Sequence, residues 1–170
     1  MKDKLLEQFF NNPMKQFGVR ELGRLAKLDT KTVMKYLKEL AKERTIFKNT
    51  KKGSFPAYEA NRASLLYRHE KSEYVVRKIL ESGLIEYIES ECHPKAVVLF
   101  GSVQKGTYHK KSDIDIFVQG KEKRLNLDSF ETKIDYPIQL LFEENLKELS
   151  KGLLGNIYNG SVLSGRLEVL

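Results

Sequence analysis

The stretch LFGSVQKGTYHKKSDIDIFV, residues 99–118, holds the residues best able to do chemistry. Gly101-Ser102 closes an apolar run, ten residues intervene, and Asp113-Ile114-Asp115 opens the next one. Side chains two apart on a strand share a face. Asp113 and Asp115 therefore point one way, and Ile114, Ile116 and Val118 point the other way into a core. Two adjacent carboxylates repel, which raises one pKa or destabilises the strand. A divalent cation removes that penalty. Oxygen ligands in this arrangement suit Mg²⁺, which is commonly held by one or two carboxylates plus substrate phosphates. Gly101 lets the backbone come close to a phosphate. Backbone N–H groups of a tight turn or a helix start form an anion-binding concavity, and the Ser102 hydroxyl adds a donor. Lys105, Lys110 and Lys111 in the intervening loop can neutralise phosphate oxygens. The plainer alternative is a half-buried strand with two solvent-facing aspartates, which leaves the Gly-Ser turn and the spacing without a role.

The surrounding pattern supplies the elements that position these residues. Ala96–Phe100 is continuously apolar and reads as a buried strand. Asp113–Val118 is a second strand, Leu125–Lys133 a helix, Pro137–Phe142 a third strand, Asn145–Tyr158 a helix and Ser161–Leu170 a final strand. Together they predict a sheet with helices on one side. Ser64–His93 reads as helical, with Gly83 dividing it, Leu84, Ile85, Tyr87 and Ile88 for a core, and Pro94 ending it.

Residues 95–170 resemble a minimal nucleotidyltransferase domain of the DNA polymerase beta superfamily. Gly101, Ser102, Asp113 and Asp115 match its signature, and Gly106 and Ser112 match recurrent positions. The resemblance implies transfer of a nucleoside monophosphate from a nucleoside triphosphate to an acceptor hydroxyl, with two Mg²⁺ ions stabilising the attacking and leaving oxygens. It makes Asp113 and Asp115 catalytic metal ligands. It makes Gly101, Ser102, Lys105, Gly106 and Ser112 nucleotide-binding. Two positions depart from the family pattern. Lys105 stands where an Arg is frequent, and a point charge cannot contact phosphate bidentately. The family's third carboxylate comes from a neighbouring strand, here PIQLLF. With Ile138, Leu140 and Phe142 turned to the core, alternation puts Gln139 on the catalytic face. A neutral amide is a poor metal ligand and no general base. Asp135 falls in the turn before that strand, and Glu143 and Glu144 lie just beyond it. Tyr158, Asn159 and Gly160 resemble a segment near the family's C-terminus, read as a helix end with Gly as cap.

The first part of the chain has a different charge. Residues 1–66 hold 15 Lys and Arg against 7 Asp and Glu, a net of +8, while the remainder sums to −1. Such asymmetry suggests a nucleic-acid-facing module beside one with another job; a solvated basic face is the bland alternative. Lys2–Asn11 reads as a helix stopped by Asn12-Pro13. Val19–Lys27 is a second helix, with Leu22, Leu25 and Ala26 inward. Thr30–Arg44 is a third, with a Val33, Leu37, Leu40 and Ala41 stripe, capped by Asp29 or Thr30. Two short extended runs, Thr45–Lys48 and Ala57–Ala60, flank a hairpin-like segment with Gly53 at its tip. The order resembles a winged helix-turn-helix over residues 1–62, with RELGRLAKLDTKTVMKYLKEL as its core and small Ala26 where the helices cross. That resemblance puts the start of the last helix in a DNA major groove, with Thr30, Lys31, Thr32 and Lys35 outward. Lys48, Lys51 and Lys52 on the wing reach phosphates. A three-helix protein-interaction module is the alternative.

The expected whole is an α/β (α+β) chain. It comprises a winged helix-turn-helix over 1–62, a helical linker over 63–93 that includes the first helix of the second domain, and a nucleotidyltransferase sheet with flanking helices over 94–170. With 170 residues, 41% of them hydrophobic, the chain is neither disordered nor collagenous. No apolar run approaches a membrane span and the N-terminus lacks a signal-peptide core, so the expected location is cytoplasmic. A single cysteine, Cys92, excludes an internal disulfide and a Cys–His cluster; it reads as a small buried residue. His109 reads as a loop residue, and His69 and His93 as structural. Two functions follow. One is a nucleotidyltransferase fused to a DNA-binding module, similar in spacing to antitoxins that nucleotidylate a HEPN-type toxin. The other is a DNA-binding regulator whose second domain only binds nucleotide or a partner. Paired DNA half-sites make a homodimer plausible.

Overall fold

The computed structural model describes residues 1–50 and 52–168. They divide into Met1–Lys71 with Tyr108–Lys110, and Ser72–Thr107 with Lys111–Leu170.

The first unit packs three helices on a small sheet. Helix α1 (Lys2–Asn11) buries Leu5, Leu6, Phe9 and Phe10, a stripe repeating at the helical period. Helix α2 (Val19–Ala26) buries Leu22 and Ala26. Leu25, expected inward, is 48% exposed. An eight-residue helix that ends in left-handed Lys27 presents only one narrow stripe, and i, i+4 spacing fills it. Helix α3 (Thr30–Lys42) buries Val33, Leu37 and Leu40, with Ala41 at the margin. Its cap is Asp29, whose carboxylate accepts the Thr32 N–H at 3.0 Å and the Thr32 hydroxyl at 2.6 Å. The sheet has the order β1-β3-β2, from Phe17–Gly18, Ile46–Asn49 and Ala57–Ala60, all antiparallel. Strand β1 was not expected, because two residues have no period to read. Phe17 nevertheless anchors it, fully buried and edge-on to Phe9 at 5.2 Å.

Helix α4 (Leu65–Ser82) is separated from α5 (Leu84–Cys92) by Gly83, in the left-handed region as expected of a divider. Near its start, the Tyr67 hydroxyl donates to the Phe9 carbonyl at 2.9 Å. Lys71 is buried, its ammonium donating to the Tyr108 carbonyl and lying 4.4 Å from the Tyr108 ring centroid. Burial, with a smaller push from Arg62, lowers the Lys71 ammonium to about 8, against an ordinary ~10.4. Between those values the unfolded chain holds more protons than the folded one, so stability rises with pH there. Wild type is expected to gain up to about 3 kcal/mol of unfolding free energy over Lys71→Met between pH ~8 and ~10.5. Urea titrations across that window check it, and parallel curves for the two proteins would contradict it.

In the second unit the sheet order is β6-β5-β4-β7, from Ala96–Phe100 (β4), Ile114–Gln119 (β5), Ile138–Phe142 (β6) and Ser161–Gly165 (β7). Strand β4 is antiparallel to β5 and β7, and β5 is parallel to β6. The parallel pair is joined through α7 (Asp128–Ile134), as a same-sheet crossover requires. The end of β4 and the starts of β5, β6 and β7 thus meet at one end of the sheet. Ala96, Val98 and Phe117 cluster with Leu146 and Ile157 on one face. Alternation sends Val97, Leu99, Ile114, Ile116 and Val118 to the other, and all are fully buried. Both faces are therefore covered, not one, which is what continuously apolar strands demand. The single helix expected over 145–158 is broken. A 3-10 turn, Leu146–Glu148, precedes Ser150, whose hydroxyl caps helix α8 (Lys151–Tyr158) by accepting the Leu153 N–H. The last strand stops at Gly165, with φ +69°, short of the expected Leu170; residues 169 and 170 lie outside the described residues. No helix among the described residues is long and apolar enough to cross a membrane.

Candidate active site

Asp113 precedes β5 and Asp115 is its second residue, paired across the ladders with Phe100 on β4 and Gln139 on β6. The Ile114 N–H donates to the Pro137 carbonyl at 2.8 Å, which ties the starts of β5 and β6 together. Gln139 stands on the aspartate face, as alternation predicts, and its Nε2 donates to Asp113 Oδ2 at 2.7 Å. Burial, and then the charge of Asp113, push the Asp115 carboxyl above the ordinary range.

Gly101 opens a short helix, α6 (Gly101–Gln104), with φ +76°. A Cβ on Gly101 would fall 2.2 Å from Asp115 Oδ2. The turn and the carboxylate are thus in direct contact, and only glycine permits it. Gly106, with φ +65°, folds the chain back, its N–H on the Val103 carbonyl, while the Thr107 N–H donates to the Ser102 carbonyl at 2.9 Å. Lys105 is exposed and its ammonium donates to Asn156 Oδ1 on α8 at 3.3 Å. No sequence signal marked Asn156. Ser112 is half-buried beside Asp113. Gly160 is not the helix cap, a role that falls to Asn159. It lets the chain pass β4, since a Cβ there would meet Val98 Cγ1 at 2.6 Å and the Leu99 carbonyl at 2.7 Å.

Among the described residues no third acid joins the pair. Asp135 ends α7 in the left-handed region and lines a cavity of about 420 Å³ with Asp128, Glu131, Thr132, Tyr136 and Pro137. Glu143 and Glu144 lie past the opposite end of β6, ~13 Å or more from Gln139 at ~3.3 Å per residue. Among the described residues no group of three His, Cys, Asp or Glu side chains could hold a metal ion. The donor set is two carboxylates, one partly desolvated. It fits a hard cation whose remaining ligands are phosphate oxygens and water. Burial raises the half-buried Cys92 thiol, which disfavours its thiolate.

Of the residues expected to face DNA, Thr30, Lys31, Lys35, Lys48 and Lys52 are exposed, while the Thr32 hydroxyl is engaged by Asp29. Lys51 lies outside the described residues. His109 and Lys110 group with the first unit. A family model described as polymerase beta, nucleotidyltransferase matches residues 82–166, half of the chain. None of the curated proteins matches it.

Proposed function

This chain belongs to the polymerase beta nucleotidyltransferase family, and on that premise we propose that it moves a nucleoside monophosphate from a nucleoside triphosphate to an acceptor hydroxyl. The observation that carries the reading is Gly101 seated against the Asp115 carboxylate, with Asp113 on the same face. Asp113 and Asp115 would hold Mg²⁺, which when bound would neutralise triphosphate oxygens. Gly101, Ser102, Lys105, Gly106 and Ser112 hold and orient the triphosphate. The acceptor oxygen bonds to the α-phosphorus as the bond to pyrophosphate breaks, and the hydroxyl proton leaves to solvent water. Gln139 cannot take the acceptor's proton.

The first unit serves, in this reading, as a winged helix-turn-helix that binds DNA through Thr30, Lys31, Thr32, Lys35, Lys48, Lys51 and Lys52. The acceptor is a HEPN-type toxin, and the chain is the antitoxin of the pair. A second reading is favoured by Gln139: a DNA-binding regulator whose second unit binds nucleotide without turnover. Incubation with each α-³²P-labelled nucleoside triphosphate, Mg²⁺ and protein or RNA acceptors separates the two. Label on an acceptor, abolished by EDTA, supports transfer. Nucleotide binding without pyrophosphate release supports the regulator. For the first unit, DNA affinity is expected to fall steeply with salt, and Lys31→Ala or Lys35→Ala to lower the salt slope by ~1 each. Salt-independent or absent binding would make the unit a protein-interaction module.

A further inference from the structure

Given cation-bound triphosphate at the aspartate pair, as proposed above, we infer that the site holds one divalent cation rather than two, and that Gln139 is what sets this number. The Gln139 side chain shares a face with both aspartates and is the register partner of Asp115 across the β5–β6 ladder. Its Nε2 donates to Asp113 Oδ2 at 2.7 Å. An N–H donor offers no lone pair to a cation, and it takes up one of the acceptor positions of Asp113 Oδ2 that a second ion would compete for. Paired metal sites hold their ions ~3.5–4 Å apart. Apart from the triphosphate's own oxygens, Asp113 and Asp115 are the carboxylates placed here to hold such a pair.

No other acid among the described residues joins them. Among the described residues there is no group of three acid, His or Cys side chains of metal-binding arrangement. The Glu131 carboxylate, the nearest along the chain on α7 to accept a bond from β6, is engaged by the Ile138 N–H at 2.7 Å. Glu143 Oε1 accepts the Asn145 N–H at the far end of the strand. The Gln139 amide also orients the Asp113 carboxylate through Oδ2, with Oδ1 and the Asp115 carboxylate outside that bond. Gln139 is thus a positioning residue: it orients a ligand and excludes a second ion. The cation enters with the nucleotide, because two carboxylates alone make a poor site for an ion that dehydrates reluctantly.

Electron paramagnetic resonance of Mn²⁺ tests this on the full chain, with the α,β-methylene analogues of ATP, GTP, CTP and UTP supplied in turn. The expected result for wild type is one Mn²⁺ bound per chain in the presence of an accepted analogue, with the spectrum of an isolated ion. Gln139→Asp and Gln139→Glu are expected to bind two, with the broadened signal of a coupled pair. Gln139 is exposed, so either variant is expected to fold. A coupled pair in wild type would overturn the inference and leave the nucleotidyltransferase reading standing. So would a single ion retained in both variants. No Mn²⁺–analogue binding with any of the four bases would overturn the reading itself, and the inference with it.

Discussion

Asparagine at Asp113 or Asp115 is expected to cut label transfer by at least ~10³-fold while leaving the chain folded. The substitution keeps shape and removes the charge that a cation needs. A loss of ~10³ corresponds to ~4 kcal/mol at ~1.36 kcal/mol per decade, within the several kcal/mol that a bound cation contributes to a phosphoryl transition state. Stability is expected to move the other way. Asp113 is one of the two causes that raise the Asp115 carboxyl, after burial. A carboxyl raised in the folded state costs stability as pH climbs through its folded value, because the folded chain then holds more protons than the unfolded one. Asp113→Asn removes one cause, so the cation-free variant is expected to melt at or above the wild-type temperature at pH 7. Melting curves and label transfer on the same samples check both halves. A variant that transfers normally would remove Asp113 and Asp115 from the chemistry.

Alanine at Gly101 is expected to do nearly as much damage without touching a charge. The residue sits at φ +76°, where a side chain costs ~1–2 kcal/mol. Its Cβ would fall 2.2 Å from Asp115 Oδ2, so the carboxylate has to swing away. Displacing a catalytic group by ~1 Å costs on the order of 10²-fold in rate, which is the loss expected in label transfer. Gly83 provides the control. It has φ +82° and nothing within 4 Å of an added Cβ. Gly83→Ala is expected to lose a similar ~1–2 kcal/mol of stability and to transfer normally. Equal activity losses in the two variants would assign the Gly101 effect to backbone strain alone.

The site was more legible than the frame around it. Asp115 and Gln139 follow from the two-residue period of a strand, and Asp113, one residue before β5, lies on the same face, within hydrogen-bond reach of Gln139. The contact between Gly101 and Asp115 was implied only in part: a glycine in a turn announces close approach, but not what approaches. The Asn156 contact to Lys105 joins residues 51 apart, and exposed polar pairs at such separation leave no pattern. Strand β1 is too short for periodicity, yet burial of Phe17 makes it part of the core. Over 145–158 the apolar residues suit one helix. Ser150 instead caps a new one, because a serine hydroxyl serves better at a cap than inside a helix. Helices on one side are the expectation and both faces are covered, although AVVLF, whose apolar side chains face both ways, carries the signal.

We propose that Asp113, Asp115 and the Gly101 turn form a site for a cation-bound triphosphate. Calorimetric titration of ATP with Mg²⁺, and of the other triphosphates in turn, into wild type and Asp113→Asn/Asp115→Asn tests it without knowledge of the acceptor. Saturable, Mg²⁺-dependent binding to wild type that is lost in the double variant is the predicted result. Equal binding to both proteins, or binding to neither with all four nucleotides, would contradict it.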